Sequence, residues 1–381
     1  MCRLRPGTLA ARPGPALRRG PRRRPGRGGR GRSAPVTGPA PRPTRLERRL
    51  GVTVPLLQAG MGGVAGPELC AAVSRAGAGG VLGLYKEPPE RIRRLIADTA
   101  ARTDRPFGIN LVPEVLSPDR CRAQLDAAVG VLPERAFVTF YGLPAPDLPA
   151  AAGRAGLPVV VQVGTAHAAG RALEQGADVV VLQGVEAGGH LLGTLPALPL
   201  LRAVRRDHPD AVLAVAGGIA TGADLARAVA EGADGAMAGS VFAAARESEA
   251  HPAFKRRIVA AGAADTVVTT VFDIGWPNRP HRVLRNALTG PGPRLSARFI
   301  ATAAGPDGRR LPVPRYSAAV PSVRTEGRIE DMAMYCGDTC ERITAVEPAA
   351  VLVERIRTEY RRAHRRTRPE PDRHEGECHG E

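Results

Sequence analysis

An apolar run, Val179-Val180-Val181-Leu182, gives way through Gln183 and Glu186 to two glycines and a lone imidazole, Gly188-Gly189-His190. An imidazole of ordinary pKa, near ~6.5, exchanges protons around neutrality, so His190 is a candidate catalytic group just past the end of a strand. The two glycines let backbone approach a ligand closely. Two later apolar runs end in small residues as well, Ala216-Gly217-Gly218 and Ala238-Gly239-Ser240. Such turns expose backbone N–H groups, and on consecutive strands with helix starts beyond them they form a phosphate cradle. A phosphate-bearing small molecule is the ligand this arrangement suits. At an earlier run, Gln58-Ala59-Gly60-Met61 leaves backbone free to lie against a flat ring, and Asn110 and Gln162 bring neutral amides to the same rim. Amides donate and accept at once, which matches the carbonyls and ring nitrogens of an isoalloxazine.

These groups meet only if strand tips meet. From about residue 54 short apolar runs alternate with helical stretches eight times, with strands expected at 54–58, 80–84, 107–112, 136–141, 158–163, 179–183, 211–216 and 235–238. A run apolar at every position belongs to a parallel strand buried on both faces. Between the runs lie amphipathic stretches such as Glu90 to Arg102, with Ile92, Leu95, Ile96 and Thr99 at helical spacing. Thr221 with Asp224 reads as a helix start, and the glycines of Glu231-Gly232-Ala233-Asp234 and Gln175-Gly176-Ala177-Asp178 read as helix stops. Eight units favour an α/β fold of the (β/α)8 TIM-barrel type over an open doubly wound sheet. The expected organisation is a disordered Arg/Pro/Gly-rich tail at 1–48, the barrel at 49–263, a lid or small substrate subdomain at 264–330 around Trp276 and its prolines, a C-terminal helical segment at 331–363, and a charged tail at 364–381.

The formal net charge is +17, which invites a nucleic-acid reading. Residues 1–50 hold fifteen arginines against the single acid Glu47, leaving +3 for the remaining 331 residues. The barrel is thus nearly neutral. The basic arm has no interleaved aromatics, and aromatic residues are 3% of the chain, so nucleic-acid binding through that arm is the disfavoured alternative. Its proline and glycine content also opposes the amphipathic helix of a transit peptide, and it reads as a translated stretch without a folded role. Cys2, Cys70, Cys121, Cys336, Cys340 and Cys378 show no repeated Cys-x-x-Cys spacing, so neither a metal site nor a disulfide framework is expected. The tail group His374, Cys378 and His379 reads as a frayed end. No apolar run is long enough for a membrane span. A cytoplasmic placement is expected, and self-association is left open. His167, at a helix start, and His208, His251 and His281, beside prolines or arginines, are expected at the surface.

Six segments in order resemble the nitronate monooxygenases, formerly called 2-nitropropane dioxygenases, which are related to the flavin-dependent enoyl-acyl-carrier-protein reductases. They are PLLQAGMGG from Pro55, DRPFGINL from Asp104, QGVEAGGH from Gln183, AGGIATG from Ala216, AGSVF from Ala238 and PHRVLRN from Pro280. The resemblance covers about Leu50 to Ala363. It implies an FMN-dependent barrel in which Gln58, Ala59, Gly60, Met61 and Asn110 contact the flavin ring, with Gln162 and Gln183 hydrogen-bonding nearby. It places Gly188 and Gly189 close to the cofactor, gives its phosphate to Gly217, Gly218, Gly239 and Ser240, and makes His190 the catalytic base. The implied activity is oxidation of a nitronate or nitroalkane by dioxygen through a flavin semiquinone, with an NADPH-dependent enoyl-thioester reductase as the alternative. Two departures stand out: Leu191-Leu192 follow the Gly-Gly-His where Arg-Gly is common, and Ser240-Val241 replace a frequent Thr-Arg.

Overall fold

A computed structural model of the chain describes residues 42–296, 298–305 and 308–366. The expected tails therefore lie largely outside the described residues, as does the group of His374, Cys378 and His379. Within them the strands are β1 (Leu56–Gln58), β2 (Gly80–Gly83), β3 (Phe107–Leu111), β4 (Phe137–Tyr141), β5 (Val159–Val163), β6 (Val179–Gln183), a two-residue β7 (Gly189–His190), β8 (Leu213–Ala216) and β9 (Gly235–Ala238). Eight of them form one parallel sheet in the order β1-β9-β8-β6-β5-β4-β3-β2. A parallel bridge between Leu57 and Gly79 joins its two ends, which closes the (β/α)8 barrel.

Side chains alternate across the wall. Along β6, Val179 and Val181 join Leu57, Val81, Phe137, Val160 and Met237 in one buried cluster, while Val180 and Leu182 join the larger cluster that includes the helices. Both faces are dry, which explains why the run is apolar at each position. A fully buried valine contributes roughly 1.5–3 kcal/mol.

The helix Arg45–Leu50 sends Leu46 and Leu50 into the first of these clusters. It is fixed by a capping box between Thr44 and Glu47 and by Arg45, which pairs with Asp234 at 2.7 Å. It begins inside the stretch that composition assigned to the tail. The i, i+4 leucine pair behind a Thr-x-x-Glu cap outweighs the arginines around it. Thr221 and Asp224 form the reciprocal cap of the helix Gly222–Ala230, and Gly176 and Gly232 take φ of 85° and 101° after their helices, a conformation that favours glycine.

After β9 the chain builds β10 (Thr266–Thr269) and β11 (His281–Leu284), then β12 (Phe299–Ala304), β13 (Arg310–Pro314) and β14 (Thr325–Gly327). β11 pairs antiparallel with both β10 and β7, so this excursion is joined directly to His190. The final helix, Ala349–Arg366, crosses Gly222, where an added Cβ would lie 2.2 Å from the Ile356 carbonyl oxygen.

Candidate active site

His190 sits at the barrel mouth, 8% exposed. Its carbonyl oxygen accepts from Gln183 Nε2 at 3.0 Å and from the Tyr141 hydroxyl, and Gln183 Oε1 accepts the Leu192 N–H at 2.8 Å. The amide of Gln183 is therefore committed to holding the loop. The Nε2 of His190 is buried and meets no hydrogen-bond partner among the described residues. Burial, with His281 and Arg279 adding positive potential, pulls the imidazole down to about 3. The ring is neutral at physiological pH, well below the ordinary value assumed from sequence.

An aromatic group encloses that ring. Trp276 lies flat on it, centroids 3.8 Å apart and planes 13° apart. Tyr335 and His281 stand at 5.3 and 5.1 Å, and Tyr85 and Tyr141 pack on Trp276 at 5.6 and 5.9 Å. The chain's only tryptophan and three of its five tyrosines thus gather here. Trp276 was legible in the sequence only as an isolated large ring in a proline-rich stretch.

His281, expected at the surface, is fully buried. Its Nε2 accepts the Phe272 N–H at 3.3 Å and its Nδ1 therefore donates to the Arg279 carbonyl at 2.9 Å. Pro280 and Arg282 mislead because alternation along β11 turns His281 and Val283 inward while Arg282 points away.

The glycine turns come together with the His190 loop. Gly217 and Gly218 have φ of 95° and 77°. A Cβ on Gly217 would stand 2.8 Å from the Ala187 nitrogen, whereas one on Gly218 would meet nothing within 4 Å. A Cβ on Gly188 would lie 2.5 Å from the Gly337 nitrogen, and that same N–H donates to Ser240 Oγ at 2.9 Å. Among the described residues, the backbone N–H groups of Gly218 and Gly239 have no acceptor. A cavity of about 230 Å³ borders Gly217 and Gly218, with Glu186, Asp338, Arg227 and Arg342 also in its wall.

Around the other strand tips, a Cβ on Gly239 would meet Ala59 Cβ at 3.8 Å and Met61 Sδ at 3.9 Å. Gly60 has room for no side chain, since a Cβ there would fall 2.3 Å from that of Asn110. Asn110 accepts from Thr139 Oγ1 at 2.7 Å and donates weakly to the Gly60 carbonyl. Gln162 is half-buried, and its amide has no partner among the described residues. Gln58 is fully buried and its amide straddles the β1–β2 seam, accepting the Val81 N–H at 3.0 Å and donating to the Val81 carbonyl at 3.1 Å. Gln58 and Gln183 therefore brace the wall and the loop, and leave no free amide for a ring.

Among the described residues, no group of three or more His, Cys, Asp or Glu side chains could hold a metal ion, and no helix is long and apolar enough to cross a membrane.

A closed parallel barrel that gathers two buried imidazoles and open glycine turns at its strand tips has the form of a (β/α)8-barrel enzyme. More particularly, the chain belongs to the nitronate monooxygenase family, whose profile matches residues 44–359. It is 35% identical over 246 residues to (3aS,4S,5R,7aS)-5-hydroxy-7a-methyl-1-oxo-octahydro-1H-indene-4-carboxyl-CoA dehydrogenase of Rhodococcus jostii, a match spanning 64% of this chain and 66% of that protein. It is 34% identical over 284 residues to a nitronate monooxygenase of Pseudomonas aeruginosa, spanning 62% and 80%. Among solved structures it resembles FabK from Thermotoga maritima with a TM-score of 0.70 and 27% identity, over 85% of this chain and 97% of that one.

Proposed function

We propose that the protein is an FMN-dependent monooxygenase that oxidises small nitronates with dioxygen. The observation that carries this reading is the buried, neutral His190, whose Nε2 has no partner among the described residues, in a member of the nitronate monooxygenase family. A buried polar atom without a partner costs stability, and such a cost persists where the atom serves a ligand.

The residues fit the cofactor. Unpaired N–H groups at Gly218 and Gly239, with Ser240 beside them, suit a phosphate. Ala59, Gly60, Met61 and Asn110 form one edge for a flat ring, Gly188 and Gly189 another, and Gln162 supplies the uncommitted amide. When bound, the flavin supplies the electron path between substrate and dioxygen. The protein's part is to orient the substrate, exclude water with the Trp276 lid, and hold His190 neutral.

The depressed pKa of His190 selects among substrates. An imidazole held near 3 is a weak base, ill suited to deprotonating a neutral nitroalkane. A nitronate has already lost that proton, and its negative charge beside the ring would raise the pKa again. Anionic nitronates are therefore the leading substrates, with neutral nitroalkanes slower. The described cysteines Cys70, Cys121, Cys336 and Cys340 are free and buried, which supports a reducing, cytoplasmic setting.

The test is an absorption spectrum with identification of the released cofactor, followed by oxygen uptake with propionate 3-nitronate in the absence of NADPH. FMN and oxygen uptake are expected. Rapid bleaching by NADPH without nitronate-dependent oxygen uptake would replace this reading with the enoyl-thioester reductase.

A further inference from the structure

A nitronate carries its negative charge on two oxygens that only accept hydrogen bonds, and a buried anion without donors is strongly disfavoured. The mouth offers few. The Tyr141 hydroxyl donates to the His190 carbonyl, Tyr335 donates to the Ala318 carbonyl at 2.9 Å, and Tyr85 reaches the Gly275 carbonyl at 3.4 Å. Lys86, which donates to the Gly275 carbonyl, and Arg279, paired with Glu114 at 2.6 Å, keep spare N–H groups but are exposed to water, and the N–H of His281 is taken by the Arg279 carbonyl. One buried donor above His190 is uncommitted: Trp276 Nε1, which has no partner among the described residues. Its ring and the imidazole touch face to face, so an orphaned donor and an orphaned ring nitrogen sit on adjacent planes.

We infer that Trp276 is a substrate-binding residue whose Nε1–H donates to the anionic oxygen of the substrate, while its indole covers His190. The inference rests on the proposed nitronate reading for its substrate class. The ligand chemistry it names is a small anion whose charge is shared by two oxygens on one planar centre, the nitrogen of a nitronate or the carbon of a carboxylate.

Because Trp276 is the only tryptophan, its emission reports this site alone, and biosynthetic replacement by benzothienylalanine changes only its N–H to sulfur. The probe is isobutyrate, a carboxylate close in shape to the nitronate of 2-nitropropane, titrated into the flavin-loaded protein by equilibrium dialysis and by tryptophan emission. Wild type is expected to bind with a change in emission, and both Trp276→Phe and the benzothienylalanine protein are expected to bind about tenfold more weakly, the scale of one hydrogen bond to a charged group. Use of two substitutions guards against a folding defect in either. In turnover of the nitronate of 2-nitropropane, the same loss is expected in KM more than in kcat. Equal affinity in wild type and both variants, unchanged emission on binding, or no binding to wild type would each overturn the assignment. Dialysis does not depend on turnover, so a wild type that binds isobutyrate through Trp276 but consumes no oxygen with nitronates would sink the proposed function and leave this inference standing.

Discussion

His281 of β11 stands directly opposite His190 of β7 in an antiparallel pair, with ring centroids 5.1 Å apart. The excursion after β9 and the loop that carries the proposed catalytic group are consequently one hydrogen-bonded unit. Arg282 reinforces the junction by donating twice to the Val185 carbonyl, at 3.1 and 2.9 Å. Any movement that uncovers His190 must either shift this pair or bend the segment between β10 and β11, where Trp276 lies.

Replacing His190 with asparagine should separate the two substrate classes. The barrel and its glycine turns are untouched, so bound flavin should be retained. Turnover of neutral nitroalkanes, already slow with so weak a base, is expected to fall further, by up to roughly 10²-fold, the usual size of a lost general base, and turnover of preformed nitronates to fall less. Oxygen uptake with both forms of 2-nitropropane reads the difference, and equal losses would remove proton abstraction from the role of His190.

Gln183→Leu should damage the site through its frame. The substitution strands the Leu192 N–H and removes a donor from the His190 carbonyl. Each buried group so stranded costs about 1–3 kcal/mol, so the urea midpoint should drop at unchanged m-value. The kcat should fall with flavin content maintained. A variant as stable and active as wild type would show that this amide does not hold the loop.

The barrel was legible because its signal is local and repeated. Val179 to Leu182 is apolar on both faces wherever the strand sits, and Thr221 with Asp224 caps a helix through bonds made within three residues. The proposed site was half legible for the same reason: glycine turns and a histidine follow strand ends in sequence. What the chain hides is direction and distance. Nothing local tells that the Gln58 amide turns back into the β1–β2 seam, that His281 faces inward beside Pro280, or that Trp276, 86 residues after His190, closes onto it. The last two follow from the register of β11 against β7, a long-range pairing that no periodicity encodes.

Gly217→Ala should test the cradle. At φ of 95°, with a Cβ 2.8 Å from the Ala187 nitrogen, alanine is strained and pushes the β6 loop away from the β8 turn. Loss of flavin from a protein with wild-type secondary structure is expected. Gly130→Ala is the control, since φ there is −71° and an added Cβ meets nothing within 4 Å; it should keep full flavin content. Equal flavin in both variants would place the phosphate elsewhere.

Glu114→Gln should loosen the lid with little effect on stability. Arg279 is 47% exposed in its pair with Glu114, so the ion pair itself is worth at most about 1 kcal/mol. Its position matters more, because it ties the segment after Trp276 to the far side of the mouth. Acrylamide should quench the single tryptophan more readily, and KM should rise a few-fold at nearly unchanged Tm. Unaltered quenching would show that the lid is held by its aromatic contacts alone.

The buried imidazoles set a direction for stability against pH. The folded-state pKa of His190 lies near 3 and that of His281 is also lowered by burial, while both are near ~6.5 in the unfolded chain. Between these values the unfolded state binds more protons, so stability rises with pH across that range and is lost as pH falls below about 6.5. Above that pH both rings are neutral in either state and contribute no slope. His190→Asn removes one of the two protons taken up on unfolding, so the decline in urea midpoint from pH 7 to pH 4.5 should be shallower in the variant, by an amount on the order of a few kcal/mol in unfolding free energy. An identical decline in both proteins would mean that His190 is hydrated and ordinary in its titration, and with that the argument for a neutral imidazole selecting anionic substrates would fail.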